Sequence, residues 1–247
     1  MVIRDDNQVD HYGRTLAAAF TARFHDDPQR LVERPETYDS GVSTAASTFR
    51  RMLPNICQNA PDTIYFAGRA GHALGFLTAL AERNCRTPIR ILTADDMAGR
   101  RLDGSPAGIA LETGVSVLYT GQVHPQAWSD DPDRFSPSAL GQFADDCAGD
   151  VCFRAFSEDG NLEDFAAIME YDAAGTAVEA IRRAAEYAGP IVAPGQVVQE
   201  MKQMHGATAI LGASGRLDFD ENGLPINKTI PILETKVGEP TAYVGLP

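Results

Sequence analysis

Thr63-Ile64-Tyr65-Phe66-Ala67-Gly68-Arg69-Ala70-Gly71-His72-Ala73-Leu74-Gly75 opens as an uncharged run, breaks at glycine and then turns helical. Its first five residues are long enough for a strand buried on both faces, as in a parallel sheet. Beyond the glycines, Leu74, Leu77 and Ala81, with Phe76 and Leu80, build a broad apolar stripe at helical spacing. The alternation continues upstream, where a strand at Val2 precedes residues 12–24, with Leu16, Phe20 and Phe24 on one helix face. A second helix carries Phe49, Met52, Leu53 and Ile56, and Pro54 is expected to kink or end it. Downstream, Pro88 precedes a strand over residues 89–93. Repeated strand–helix–strand units with short turns predict an α/β fold, a parallel sheet with flanking helices.

After Gly114 the pattern changes. Residues 115–119 read as a strand, and the Pro- and Asp-rich stretch 124–137 reads as loop. Helical spacing returns over 138–146 and 162–188, where Ile168, Tyr171, Ala174, Val178 and Ile181 mark the expected inward face. A third helix is expected over 195–204, after Pro194. The tail, 212–220, then Glu221-Asn222-Gly223, then 228–237, reads as a C-terminal β-hairpin, because Asn-Gly between strand-like runs favours a tight turn.

Composition narrows the function classes. The 247 residues are 44% hydrophobic, enough for a substantial core. They carry 34 Asp and Glu against 21 Lys and Arg, a net charge of -13, which gives no support to a nucleic-acid partner. The arginine pairs Arg50-Arg51, Arg100-Arg101 and Arg182-Arg183 are scattered among acids and read as solvated faces. No stretch approaches the roughly 18 apolar residues of a membrane span. The N-terminus lacks an apolar signal core, yet Met1-Val2-Ile3-Arg4 reads as a strand without a lead-in, and residues ahead of it are expected. Cys57, Cys85, Cys147 and Cys152 have no metal-ligand spacing and allow three disulfide pairings. Cys57 and Cys85 each follow a helix flanking one strand, and Cys147 and Cys152 are close enough to bridge a loop. An oxidising compartment is preferred to buried free thiols.

Several motifs invite chemistry and fall short of it. The glycines of residues 68–75 are spaced G-x-x-G-x-x-x-G, out of register with the dinucleotide turn, although Asp95 or Asp96 could stand in for its ribose acid. Asp218, Asp220, Asn222 and Gly223 match the front of a calcium loop, but the twelfth position is Thr229 rather than Glu, and a polar hairpin turn is expected. The five histidines are dispersed, and Ser214 lacks the spacing of a nucleophile elbow. No catalytic residue, metal ligand or cofactor is expected. One constellation remains. Asp5-Asp6 and Tyr12, then Gly68-Arg69-Ala70, then Asp95-Asp96, follow three predicted strands at the edge where open parallel sheets bind ligands. Tyr12 offers a ring and a hydroxyl, Arg69 a fork for a carboxylate, and Asp95 an acceptor for an ammonium, together suited to a zwitterion.

At these residues the chain resembles the branched-chain amino-acid-binding family of type I periplasmic binding proteins. Arg4-Asp5-Asp6, followed by Asp10-His11-Tyr12-Gly13-Arg14, is similar to the segment opening that family's second lobe. Residues 61–68 and 91–96 look like its next two strands, Glu170-Tyr171-Asp172-Ala173 like its "YDA" helix, and residues 214–223 like its terminal hairpin. The wording of residues 4–20, 55–69 and 80–85 is also similar to actinobacterial binding-protein-like receptors, often membrane-anchored. The resemblance implies a type I periplasmic-binding-protein fold, with residues 1–114 and 207–247 as a near-complete second lobe and 115–206 as the returning part of the first. It implies an extracytoplasmic, non-enzymatic solute-binding or ligand-sensing protein of amino-acid transport, closing by a hinge on a small polar ligand between two lobes. Tyr12, Arg69, Ala70 and Asp95 would bind that ligand. Arg69 departs from the family's aromatic residue, which puts a leucine-like ligand in doubt. The implied partners are a small-molecule ligand and a membrane permease or receptor, with a homodimer left open. Two other readings stand beside it, a nucleotide-binding α/β enzyme using Gly68 to Gly75 and a ligand-free interaction scaffold.

Overall fold

The computed structural model describes residues 1–23, 36–41, 45–83, 85, 89–97, 102, 105–112, 114–121, 124–130, 137–146, 165–228, 230–236 and 239–246. Contacts divide the chain into two compact units, Met1–Thr120 with Ile232–Val244 and Gly121–Pro231 with Gly245–Pro247.

The first unit alternates strand and helix: β1 (Val2–Asp5), α1 (Tyr12–Arg23), β2 (Glu36–Tyr38), α2 (Ala45–Asn59), β3 (Thr63–Ala67), α3 (Ala70–Arg83), β4 (Arg90–Thr93), α4 (Pro106–Glu112) and β5 (Ser116–Thr120). After the excursion into the second unit come β9 (Ile232–Lys236) and β10 (Glu239–Gly245), completing a seven-stranded sheet in the order β10-β9-β5-β4-β3-β1-β2. β2, β1, β3, β4 and β5 pair in parallel, and β9 runs antiparallel to β5. The parallel α/β sheet and its flanking helices match the sequence expectation.

Strand alternation explains why helices cover both faces. Phe66 points to the side where Phe49 of α2 and Phe76 of α3 meet it, with ring centroids 6.1 and 5.5 Å away. Tyr65, the next residue back, stacks on Phe20 of α1 at 4.0 Å, and that face is sealed by Val2, Ala17 and Ala67. Each fully buried aromatic contributes roughly 2–3 kcal/mol of transfer free energy, so these three rings anchor the layer of α2 and α3. Pro54 does not end α2, which runs through it to Asn59. Phe49, Met52, Leu53 and Ile56 are all buried, and the packing of that face outweighs the local cost of the proline. A disulfide joins Cys57, near the end of α2, to Cys85, just beyond α3, across Cα atoms 5.5 Å apart. Closing a 28-residue loop lowers the entropy of the unfolded chain, by about 3–4 kcal/mol in the loop-entropy account. Cys147 and Cys152 lie outside the described residues, as do Phe24 and Thr229.

The second unit holds α5 (Pro125–Asp130), α6 (Pro137–Asp146), α7 (Phe165–Ala188), α8 (Pro194–Lys202) and a three-stranded antiparallel sheet of β6 (Ile210–Gly212), β7 (Gly215–Phe219) and β8 (Pro225–Ile226). Three expectations are corrected here. The stretch expected as loop contains α5, started by Pro125 at its first position while His124 Nδ1 accepts the Gln126 N–H at 3.2 Å. The buried face of α7 is Ile168, Asp172, Thr176, Ala180 and Ala184, whereas Val178 and Ile181 are 66% and 48% exposed. Small residues and one aspartate suit close packing on α8 and β6 better than the larger aliphatic row does.

The hairpin is shorter than expected. Asp220 accepts the N–H groups of Asn222 and Leu224 and shapes the turn, but only Pro225 and Ile226 fold back on β7. The segment expected as its second arm leaves instead to form β9, where Leu233 and Thr235 are buried beside β5. Burial in a seven-stranded sheet offers those residues more than an exposed two-stranded ribbon can. β5 likewise pairs with β4 within the first unit, and residues 207–231 fall in the second. Among the described residues no helix is long and apolar enough to cross a membrane.

Candidate functional site

β1, β3 and β4 are neighbours in the sheet and all parallel, so their carboxyl ends share one edge. Chain geometry alone delivers Asp5, Gly68 and Thr93 to that edge, and the residues that follow them build the site. Asp10 starts α1: its Oδ1 accepts the N–H of Tyr12 at 3.0 Å, satisfying one of the donors a helix start leaves open. Gly13 is required next. A Cβ there would stand 2.6 Å from both the Ala67 carbonyl oxygen and the Asp5 Cβ, so only glycine lets α1 leave this edge so tightly packed.

Tyr12, Arg69, Ala70 and Asp95, the four residues expected to bind ligand, are brought together. The Tyr12 hydroxyl donates to Asp95 Oδ1 at 3.0 Å. The Arg69 guanidinium lies over the Tyr12 ring, 4.1 Å from its centroid, a cation–π contact. The Ala70 N–H, at the start of α3, donates to Asp96 Oδ2 at 2.5 Å. The structure adds two participants to these four. Asp10 takes both arms of the Arg69 fork, from Nε at 3.0 Å and from a terminal nitrogen at 3.4 Å, and Asp96 caps α3. The signal for Asp10 was its place two residues before a helix start. Asp5 and Asp6 serve the loop rather than the cluster: buried Asp5 accepts the N–H groups of Asn7 and Ser40, and Asp6 pairs with Arg4.

The electrostatics follow from this crowding. Burial, then the charge and hydrogen bond of Asp95 and the charge of Asp96, hold the Tyr12 phenol well above its ordinary range, so the hydroxyl stays a donor. The Arg69 hydrogen bond, followed by the Tyr12 N–H, lowers the Asp10 carboxyl, and the same pair raises Arg69. At this edge β2 ends in Tyr38, whose buried hydroxyl finds no hydrogen-bond partner among the described residues, and nor does His72 Nδ1 in the first turn of α3. The two rings lie 5.6 Å apart. Orphaned buried polar atoms call for water or a ligand group.

The other motifs find local uses. A pyrophosphate at Gly68 to Gly75 would have to displace the Asp96 carboxylate from the Ala70 N–H, which weighs against the dinucleotide reading. Asp218 accepts the Gly206 N–H and pairs with Arg216, and Asp220 holds the hairpin turn, as a polar turn requires. Among the described residues no group of three or more His, Cys, Asp or Glu could hold a metal ion. Ser214 sits in the turn between β6 and β7, 1% exposed, and two partners absent from the sequence reading meet it. Asp172 accepts from its hydroxyl, from its N–H at 2.8 Å and from the Ala213 N–H at 2.7 Å. Lys228 donates to the Ser214 carbonyl at 2.6 Å and to its hydroxyl. Burial lowers the Lys228 ammonium to about 8, with Asp172 opposing the shift. A hydroxyl so enclosed has no room for a substrate, and the trio pins the β6–β7 turn to α7.

No family model matches the chain, and no curated protein does. Solved structures do. A leucine-binding protein from Thermotoga maritima is 18% identical with a TM-score of 0.63, matched over 99% of this chain and 59% of its own. An ABC transporter substrate-binding protein from Desulfitobacterium hafniense, in complex with Leu, is 19% identical at TM-score 0.63, again over 99% and 59%. A branched-chain amino-acid ABC transporter protein from Thermus thermophilus with bound valine is 18% identical at 0.62, over 100% and 59%. The chain therefore has the type I periplasmic-binding-protein fold and spans about 59% of the length of the proteins it matches.

Proposed function

We propose that this chain supplies one wall of a non-enzymatic site that binds a small polar, amino-acid-like ligand, in a solute-binding or ligand-sensing protein. The observation that carries the reading is the meeting of Tyr12, Arg69, Ala70 and Asp95 at the carboxyl edge of three adjacent parallel strands. Open parallel sheets bind ligands at that edge, because strand ends and helix starts converge there. The matched structures carry leucine or valine in the same fold, which supports a solute-binding role. In this reading the first unit corresponds to the second lobe of such proteins and the second unit to part of the first. The Cys57–Cys85 disulfide favours an oxidising, extracytoplasmic setting, where a membrane permease or receptor would be the partner.

Calorimetry of the chain against a panel of amino acids tests the reading. Binding is expected, weakened at least about tenfold (1.4 kcal/mol) by Tyr12→Phe and by Asp95→Asn. A panel with no binder, or binding that neither substitution moves, overturns it.

A further inference from the structure

Beyond the ligand cluster, we infer that Tyr38 and His72 together hold one hydroxyl-type group, an ordered water or a hydroxyl of the ligand, beside the Gly68 turn. Two independent orphans meet here. The Tyr38 hydroxyl and His72 Nδ1 are buried atoms, and neither finds a hydrogen-bond partner among the described residues. Local structure fixes both. Tyr38 ends β2, is 3% exposed, and packs on Phe49 and Phe66, with ring centroids 4.9 and 5.6 Å away. Its hydroxyl reaches the end of β3, where a Cβ on Gly68 would run into it, so glycine is what gives the hydroxyl its place. His72 follows in the first turn of α3, and its ring centroid is 5.6 Å from that of Tyr38. No direct bond joins the two atoms, and rings at this spacing suit one bridging oxygen.

Chemistry selects the occupant. Burial, then the charges of Asp5 and Asp10, hold the Tyr38 phenol well above its ordinary range, so it keeps its proton. A hydroxyl or a water accepts from one neighbour and donates to the other, and so serves both atoms whichever nitrogen of His72 carries the proton. A carboxylate or an ammonium suits one tautomer only and would bring a full charge into a buried place. Left unpaired, two desolvated polar atoms would each cost stability.

The test is Tyr38→Phe in the full chain, which keeps the ring and removes only the oxygen. With a bridging group in place, the thermal unfolding midpoint is expected to fall by about 2–4 °C. The nitrogen NMR resonance of His72 Nδ1, assigned by its loss in His72→Gln, is expected to move as well, since the bridging group loses one of its two holds. A midpoint that stays or rises, as it should when an unsatisfied hydroxyl is removed, overturns the inference, and so does an Nδ1 resonance that stays in place. Calorimetry then separates the two sources, with L-serine and L-threonine set against L-alanine and L-valine. A preference of about tenfold for the hydroxylated pair, lost in Tyr38→Phe, assigns the group to a ligand, a source that rests on the proposed binding role. Equal binding of both pairs, or none, assigns it to a water. With no binder the binding role falls and the Tyr38–His72 site stands, because midpoint and resonance are read without added ligand.

Discussion

Two clusters in this molecule combine a tyrosine or serine hydroxyl, carboxylates and one cationic side chain, and burial makes them opposites. In the second unit, Asp172, Ser214 and Lys228 form a closed set. Asp172 and Ser214 are 5% and 1% exposed, and the two charges face each other through one hydroxyl. At the edge of the first unit, Tyr12, Arg69, Asp10, Asp95 and Asp96 are half-buried or exposed. Out of water an uncompensated charge is expensive, so the inner set is balanced and acts as a fastener. The outer set stays within reach of solvent, which screens its charges, and a reachable cluster can still gain from a ligand.

The comparison can be broken most forcefully at Asp172. Asp172→Ala would strand the Ala213 and Ser214 N–H groups and leave Lys228 without its counter-charge. A loss of about 3–5 kcal/mol is expected, read by urea unfolding, with hydrogen exchange rising first around β6 and β7. Gly212 belongs to the same fastener, since a Cβ there would run into the Asp172 carboxylate. A loss below about 1 kcal/mol would mean the trio is decorative.

Lys228 gives a smaller effect with a definite sign. Folded, its ammonium releases its proton near pH 8, against 10.5 as its ordinary value. Between those values the unfolded chain holds more protons than the folded one, so stability should rise with pH through this window. Relative to Lys228→Met, the native chain should gain on the order of 1 kcal/mol per pH unit from pH 8 to 10. A difference that stays flat would show that burial does not hold the ammonium down. The smallest stability effect belongs to the outer cluster. Arg69→Ala should leave the unfolding midpoint unmoved within error, because the pair it breaks is exposed. A clear drop in midpoint would make Arg69 a fastener too, and erase the contrast.

Much of the edge site was legible in the sequence because it depends on local order. A strand followed by a glycine turn and a helix puts its next residues at the carboxyl edge, so local sequence order already places Tyr12, Arg69 and Asp95 together. What each side chain does there was not legible. Arg69 read as a free fork, but its partner Asp10 lies 59 residues away, and nothing in the spacing said that this acid would reach it. The buried face of α7 departs from apolar periodicity, which takes no account of an aspartate buried to hold the backbone of a distant turn.

The sequence by itself determined the α/β alternation, the parallel core strands, the edge to which the candidate residues belong and the helix ends that could carry the Cys57–Cys85 bridge. These follow from periodicity and turn chemistry, which act over a few residues. Only the tertiary structure decided that β9 joins β5, that Ser214 is locked between Asp172 and Lys228, and that Arg69 is already spent on Asp10 and Tyr12. Those outcomes are competitions among distant partners for the same backbone edge, hydroxyl or charge, and they are settled by burial and desolvation once the chain has closed on itself.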